Sequence, residues 1–204
     1  MTGAGAGSKA ILFFLGLWLL LAVLLGATGG IAKLSPPFPQ LVVLGLTLAA
    51  LAAIYLLPTL REWAATVSVR ALVAWHLIRL LAGAYFLFLA RQGSLAPAFG
   101  VPAGWGDMAV AMTAAALLFS LSPVGGSGRI CYAIWNLFGF VDILFVVVNA
   151  ARIGMSAPAS MVPLLHLPLS ILPTFLVPTI IASHFILFRR LYTDAIPRSV
   201  DLEP

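Results

Sequence analysis

Apolar residues run along this chain in long blocks, and polar residues punctuate them. Six blocks can be drawn, at about residues 10–25, 41–60, 71–90, 105–121, 130–151 and 162–188. Each approaches or exceeds the roughly 20 residues that a helix needs to cross hydrocarbon. The fourth is the shortest, closed by Ser122-Pro123 and the Gly125-Gly126-Ser127-Gly128 run. The pattern predicts an all-α chain, a polytopic helical bundle of six transmembrane helices forming one domain over residues 1–204. The segments 29–39, 92–106 and 154–163 are rich in Gly and Pro, hence poor helix formers. They read as outer loops, either plain connections or a cap folded back over the bundle.

Composition agrees with the pattern. Of 204 residues, 62% are hydrophobic and only 8% are charged, against about 25% charged in a soluble domain. A soluble fold cannot do without a polar surface, so the lipid bilayer is the expected surroundings. The net charge of +5 does not point to nucleic acid, because most of the basic residues cap the ends of apolar blocks, where topology determinants belong. With six spans, one side holds Lys9, Arg61, Arg70, Arg129, Arg189, Arg190 and Arg198, and the other holds Lys33, Arg91 and Arg152. The positive-inside rule then puts both termini in the cytoplasm. The first block has a rival reading as a cleaved signal peptide, with Lys9 before it and small residues at 26–29 after it. The lone Cys131 offers neither an internal disulfide nor a CxxC metal site.

Polar residues inside the blocks carry the candidate chemistry. A charge at bilayer depth is costly, so it is usually paired, inward-facing and functional. Arg79 interrupts the third block three residues after His76, and Asp142 interrupts the fifth, six after Asn136. Three residues apart on a helix means a shared face, and Gly83 continues that face as a place where a neighbouring backbone can approach. Arg79 and Asp142 are the natural ion pair, structural or functional, about 7 Å apart in depth from the helical rise. Asn136 and Asp142 differ by about 120° around their axis, which allows two smaller contacts instead of one site. The sixth block carries Pro173, Thr174 and Pro178, a helix break whose freed carbonyls need partners. His166 and His184 are five turns apart in that block, one at each end of a shared face. Asp107 lies at the outer start of the fourth block, where it reads as an N-cap or an entrance charge. Trp18, Trp63, Trp75 and Trp105 read as interface anchors, whereas Trp135 beside Asn136 could line a pocket.

Three stretches taken together, Pro102-Ala-Gly-Trp-Gly-Asp107, Trp135-Asn136-Leu-Phe-Gly139 and Pro173-Thr-Phe-Leu-Val-Pro178 before His184, resemble small uncharacterised bacterial six-helix integral membrane proteins. The resemblance implies a bacterial inner-membrane setting and supplies no activity.

Motifs for catalysis are missing: no HExxH, GxSxG or P-loop occurs, and both glutamates, Glu62 and Glu203, lie outside the blocks. No lysine lies in a block to carry a retinal Schiff base. Three functional classes stay open. The leading one is a small-solute or proton-linked transporter or permease, with His76, Arg79, Asn136, Asp142 and His184 as substrate-binding or proton-relay groups. The second is a redox protein, with His76 and His184 as haem ligands or as polar groups at a quinone site. The third is a non-catalytic subunit of a larger membrane complex or homo-oligomer. An echo of YFLFLAR at 85–91 in HFILFRR at 184–190 is the only hint of the three-plus-three inverted repeat of many transporters.

Overall fold

A computed structural model describes residues 3–193. Arg198 and Glu203 lie outside the described residues. Among the described residues, every regular element is helical, and six helices are long and apolar enough to cross a membrane: Gly7–Ala27, Phe38–Leu56, Val69–Arg91, Pro97–Ser120, Gly126–Ser156 and Leu172–Tyr192. The all-helical, six-span architecture read from the hydrophobic pattern is the architecture observed.

The first span lies in helix α1 (Gly3–Ala27) and the second is α2 (Phe38–Leu56). Pro58 ends α2, because the residue before a proline is pushed out of the helical region, and Leu57 is extended at φ −90°, ψ 117°. Pro58 then opens the short helix α3 (Pro58–Thr66) from its first position, where its missing N–H costs nothing. The third span is two helices, α4 (Val69–Trp75) and α5 (Ile78–Arg91). Ser68 caps α4 by accepting from the Ala71 N–H at 3.0 Å. Between them the amides of His76, Leu77, Arg79 and Leu80 each bond three residues back. The chain there is wound tighter than an α-helix, a local feature often found at functional positions.

The fourth span is α6 (Pro97–Ser120) and the fifth α7 (Gly126–Ser156). Before α7, Gly125 sits at φ +99°, a conformation open to glycine and strained for other residues. The sixth span begins with a single π-helical turn, Leu172–Leu176, and continues as α8 (Val177–Thr193).

Two boundaries differ most from the sequence expectation. The fourth helix starts at Pro97 rather than near residue 105, because the Gly and Pro residues taken as loop signals lie inside it. The sixth starts at Leu172 rather than 162, since Pro158–Leu165 is a 3-10 segment and 166–170 is irregular. Gly and Pro are tolerated within membrane helices when neighbours satisfy the backbone they expose. That happens at two prolines. Pro102 has no N–H for the carbonyl of Ala98 four residues back, and the Asn149 side chain donates to that carbonyl at 3.0 Å. Pro178 likewise releases the carbonyl of Thr174, which accepts from the Trp18 indole at 2.9 Å. Trp18 was expected as an interface anchor; it serves the broken helix instead.

The third to sixth spans form the packed body, and the first and second, the least buried, lie at its side. Helices α5 and α6 approach very closely: a Cβ on Gly83 would lie 2.5 Å from the Gly104 carbonyl oxygen, and one on Gly104 would lie 2.9 Å from that of Gly83. The close approach expected at Gly83 is present. Basic side chains tie helix ends together. Arg70 donates to the carbonyls of Leu118 and Leu121 at the end of α6, and Arg190 to that of Val67.

Candidate functional site

The buried apolar residues fall into two clusters. One holds Phe86, Phe99, Ala103, Ile143, Val146, Val177 and Ile180. The other holds Leu72, Val73, Val110, Ala114, Tyr132, Trp135, Ile186 and Leu187. On each of the four packed spans, the stretch between the two clusters carries the polar residues: His76 and Arg79, then Asp107, then Asn136 and Asp142, then Ser183 and His184. Four helices thus contribute to one polar layer inside an apolar bundle, each from the stretch that separates its two apolar faces.

Arg79 is the centre of one half of this layer and is 1% exposed. Its Nε donates to Asp107 Oδ1 at 2.6 Å, and one terminal nitrogen donates to the Gly139 carbonyl at 3.1 Å. The other forms an ion pair with Asp142. One guanidinium therefore joins α5, α6 and α7, and carries two carboxylates. Small residues make the space: a side chain on Gly106 would collide with the Asp142 carboxylate. Fixed fork geometry suits arginine to such a double contact in a way lysine does not match.

The other half is a pair of imidazoles. His76 and His184 are both fully buried, with ring centroids 4.4 Å apart and planes at 56°. His76 Nε2 is 2.9 Å from Ser183 Oγ, and the Ser183 hydroxyl donates to the Ile180 carbonyl at 2.7 Å. His184 Nδ1 is 2.7 Å from Asn136 Oδ1, while Asn136 Nδ2 donates to the His184 carbonyl at 3.2 Å. Trp135 closes one side, its ring centroid 5.1 Å from that of His76, with its indole N–H on the Val110 carbonyl at 3.1 Å. Phe140 packs against His184 at 5.8 Å. A Cβ on Gly139 would lie 2.9 Å from His184 Cε1. The same glycine accepts from Arg79 through its carbonyl, so it joins the two halves. The opposite nitrogens, His76 Nδ1 and His184 Nε2, have no hydrogen-bond partner among the described residues. A buried polar atom left so costs about 1–3 kcal/mol.

Beside the layer lies a cavity of about 740 Å³. Its wall is formed mainly by apolar side chains, including Val43, Ala82, Phe86, Phe140 and Ile143, and Arg79 and Asp107 also contribute to it. Ala32, Leu34 and Pro36 from the first connection, and Ala159, Met161, Val162, Leu164 and Leu165 from the 3-10 segment, line it as well. Two of the segments read as outer loops therefore lie over this space.

Sequence reasoning placed Arg79, Asp142, His76, Asn136 and His184 in one neighbourhood, and the fold brings them together. The 120° offset between Asn136 and Asp142 shows itself as two halves, one residue on each. Asp107 needs correction: it does not cap α6, but lies ten residues inside the helix as the second carboxylate on Arg79. The Gly-rich run before it hid the helix; the signal was an acidic residue at helical phase within an apolar stretch. His166 also needs correction. It follows the 3-10 segment in an extended conformation, is exposed, and does not share a helix with His184. Pro173 lies in the π turn and Pro178 in the first turn of α8, with the Thr174 hydroxyl on the Ser170 carbonyl at 2.6 Å. Asn149, overlooked in the sequence, is the partner that lets Pro102 sit in α6.

A haem held by His76 and His184 does not fit this geometry. Two metal–imidazole bonds of about 2 Å each, plus the ring radii, would put the centroids about 6 Å apart with a macrocycle between them. The rings instead lie in contact at 4.4 Å, walled by Trp135 and Phe140.

A family model described as a domain of unknown function (DUF8737) matches residues 36–192. No curated protein and no solved structure matches the chain.

Proposed function

We propose that this chain, which belongs to the DUF8737 family, is a carrier or permease for a small amphipathic solute. Its solute site is the cavity beside Arg79. The observation that supports this most is a guanidinium and a carboxylate in the wall of an otherwise apolar cavity of about 740 Å³. That volume falls in the range of small-molecule sites, which are mainly apolar with a few placed polar groups. Three of the five guanidinium N–H donors are committed to Asp107, Gly139 and Asp142. The remaining donors suit an oxygen-bearing head group, while the walls suit an apolar body. A quinone-type ring with an apolar tail meets the same description, and the apolar lining favours it as the second reading.

The setting belongs to the proposal. We place both termini in the cytoplasm from the distribution of Lys and Arg, and the protein in a bacterial inner membrane from the resemblance above. The third and sixth spans each contain a departure from α-helical winding, at 76–80 and at 172–176. Both flank the layer, and such places are where a packed helix can bend.

Purification of the full chain in mild detergent, followed by mass spectrometry of extracted small molecules and lipids, tests the reading. Ala82→Trp fills the cavity wall. The expected result is a small amphipathic molecule retained by the wild type, depleted in the folded variant, and exchanged across proteoliposomes only by the wild type. Identical retention by both proteins, with no exchange, would overturn it.

A further inference from the structure

The cavity beside Arg79 has walls of two kinds. Phe86, Phe99, Ile143 and Ile180 are buried wall. Leu41 and Leu44 on α2, and Leu144 and Val148 on α7, belong both to the lining and to the outer face of the bundle. Their exposure runs from 41% at Leu144 to 65% at Val148. Residues that face cavity and lipid at once mark an opening, so the space opens sideways into hydrocarbon between α2 and α7. The packing explains the gap, because α2 runs along α8 and the π turn rather than along α7. Near the connections the gap is closed by Gln40, which crosses it: a Cβ on Gly154 would lie 2.8 Å from Gln40 Nε2.

Depth and charge limit what can enter. Asp107 is the eleventh of 24 residues in α6, and Asp142 the seventeenth of 31 in α7. Arg79, held by both, therefore sits near mid-membrane. From that level the lining follows α7 from Ile143 to Gly154, about 17 Å at the helical rise, or roughly one leaflet of a hydrocarbon core about 30 Å thick. A phospholipid keeps its charged head at the surface, and bringing that charge to mid-depth is costly. Nothing in the wall repays the cost for an anion. One guanidinium meets two carboxylates, so the layer is neutral with one of them ionised and negative with both. Among the described residues, the polar side chains in the lining are Arg79, Asp107, Gln40 and Thr47, and Thr47 spends its hydroxyl on the Val43 carbonyl at 2.7 Å.

We propose that the cavity takes an uncharged long-chain lipid with a carbonyl or hydroxyl head, which enters from the bilayer through the gap between α2 and α7. The head oxygen accepts from guanidinium N–H groups of Arg79 that Asp107, Gly139 and Asp142 leave over. The apolar chain lies along α7 towards Gly154. Quinones and long-chain alcohols share this chemistry, and both dissolve in the bilayer interior, where the opening lies. The assignment rests on the cavity being the solute site, and it names the solute and its route.

Photo-crosslinking of the full chain in phosphatidylcholine nanodiscs tests it. Three probes carry the same alkyl chain with the same diazirine and differ only in the head: an alcohol, a benzoquinone, and a sulfonate that stays ionised throughout. The alcohol or the quinone should label the α7 and α8 wall, mapped by peptide mass spectrometry, at least about tenfold more than the sulfonate. Excess diazirine-free analogue should displace it, and the better competitor of the two identifies the head. Leu44→Trp combined with Leu144→Trp narrows the gap and should slow labelling several-fold. Leu48→Trp, exposed on α2 but outside the lining, should not. Equal, displaceable labelling by the sulfonate would overturn the uncharged class and leave the cavity as a solute site. An unchanged rate in the gap variant would overturn the sideways route alone. No displaceable labelling of the wall by any probe, whether a second copy of the chain covers the gap or bulk lipid fills the space, would overturn this assignment and the cavity reading together. The comparison of heads uses the wild type, so it decides the class even if the gap variant fails to fold.

Discussion

Two carboxylates on one buried arginine make a sharp prediction about non-additivity. Asp107→Asn leaves Arg79 paired with Asp142, and the new amide oxygen can still accept from Nε, now 2.6 Å from Oδ1. The loss is then the difference between a charged and a neutral acceptor, about 1 kcal/mol. Asp142→Asn should behave alike, because Asp107 remains. The double variant is different: a guanidinium that is 1% exposed keeps no negative partner. Removing the partners of a buried charge costs about 3–5 kcal/mol, so the two substitutions should couple by about 1–3 kcal/mol. Reversible unfolding of the purified chain in mixed micelles, followed by circular dichroism, measures all four corners of the cycle. Additive costs, or either single substitution reaching about 3 kcal/mol, would refute the account of Arg79 as one charge held by two interchangeable anions.

Further outcomes follow from the helix breaks, the glycines and the topology. Trp18→Phe keeps a ring against Phe175 but leaves the Thr174 carbonyl without its donor, at a cost of about 1–2 kcal/mol. In a Pro178→Ala background the helix supplies its own N–H, and the cost of Trp18→Phe should fall towards zero. Asn149→Leu should lose a similar amount through the carbonyl that Pro102 exposes. Gly106→Ala should destabilise by about 1–3 kcal/mol by displacing the Asp142 carboxylate. Gly45→Ala, with nothing within 4 Å of its added methyl, should be neutral or stabilising in the same melts. For orientation, Gln92→Cys in a Cys131→Ser background should react with a membrane-impermeant maleimide from outside intact cells; reaction only after lysis would reverse the proposed topology.

Much of the fold was legible because hydrophobic length is a one-dimensional property. A block of apolar residues long enough to span a bilayer has few alternatives to a helix, since no water remains to satisfy an open backbone. The errors have the same origin. Pro102, Gly104 and Gly106 weigh against helix in water, yet here they sit inside α6, with Asn149 repairing the backbone and Gly104 meeting Gly83. Local rules could not register a donor that arrives from residue 149. The N-cap role expected of Asp107 failed for this reason alone, because the assigned start of the helix was wrong. His166 failed in the opposite direction: an apolar run was read as continuous helix, although it breaks at 166–170 before the π turn.

What the sequence determined by itself was which residues must hide. Arg79, Asp142, His76, Asn136 and His184 could be named because charges and amides in an apolar run have to be gathered inward. Which of them meet was decided by the tertiary structure. Pairing depends on how four helices are rotated and offset, and that is set by contacts such as Gly83 against Gly104 and by the tight winding at His76. A shift of a third of a turn would leave Asp107 facing lipid and the two imidazoles apart. The second carboxylate on Arg79 and the contact between the His76 and His184 rings are properties of that packing, not of any one helix.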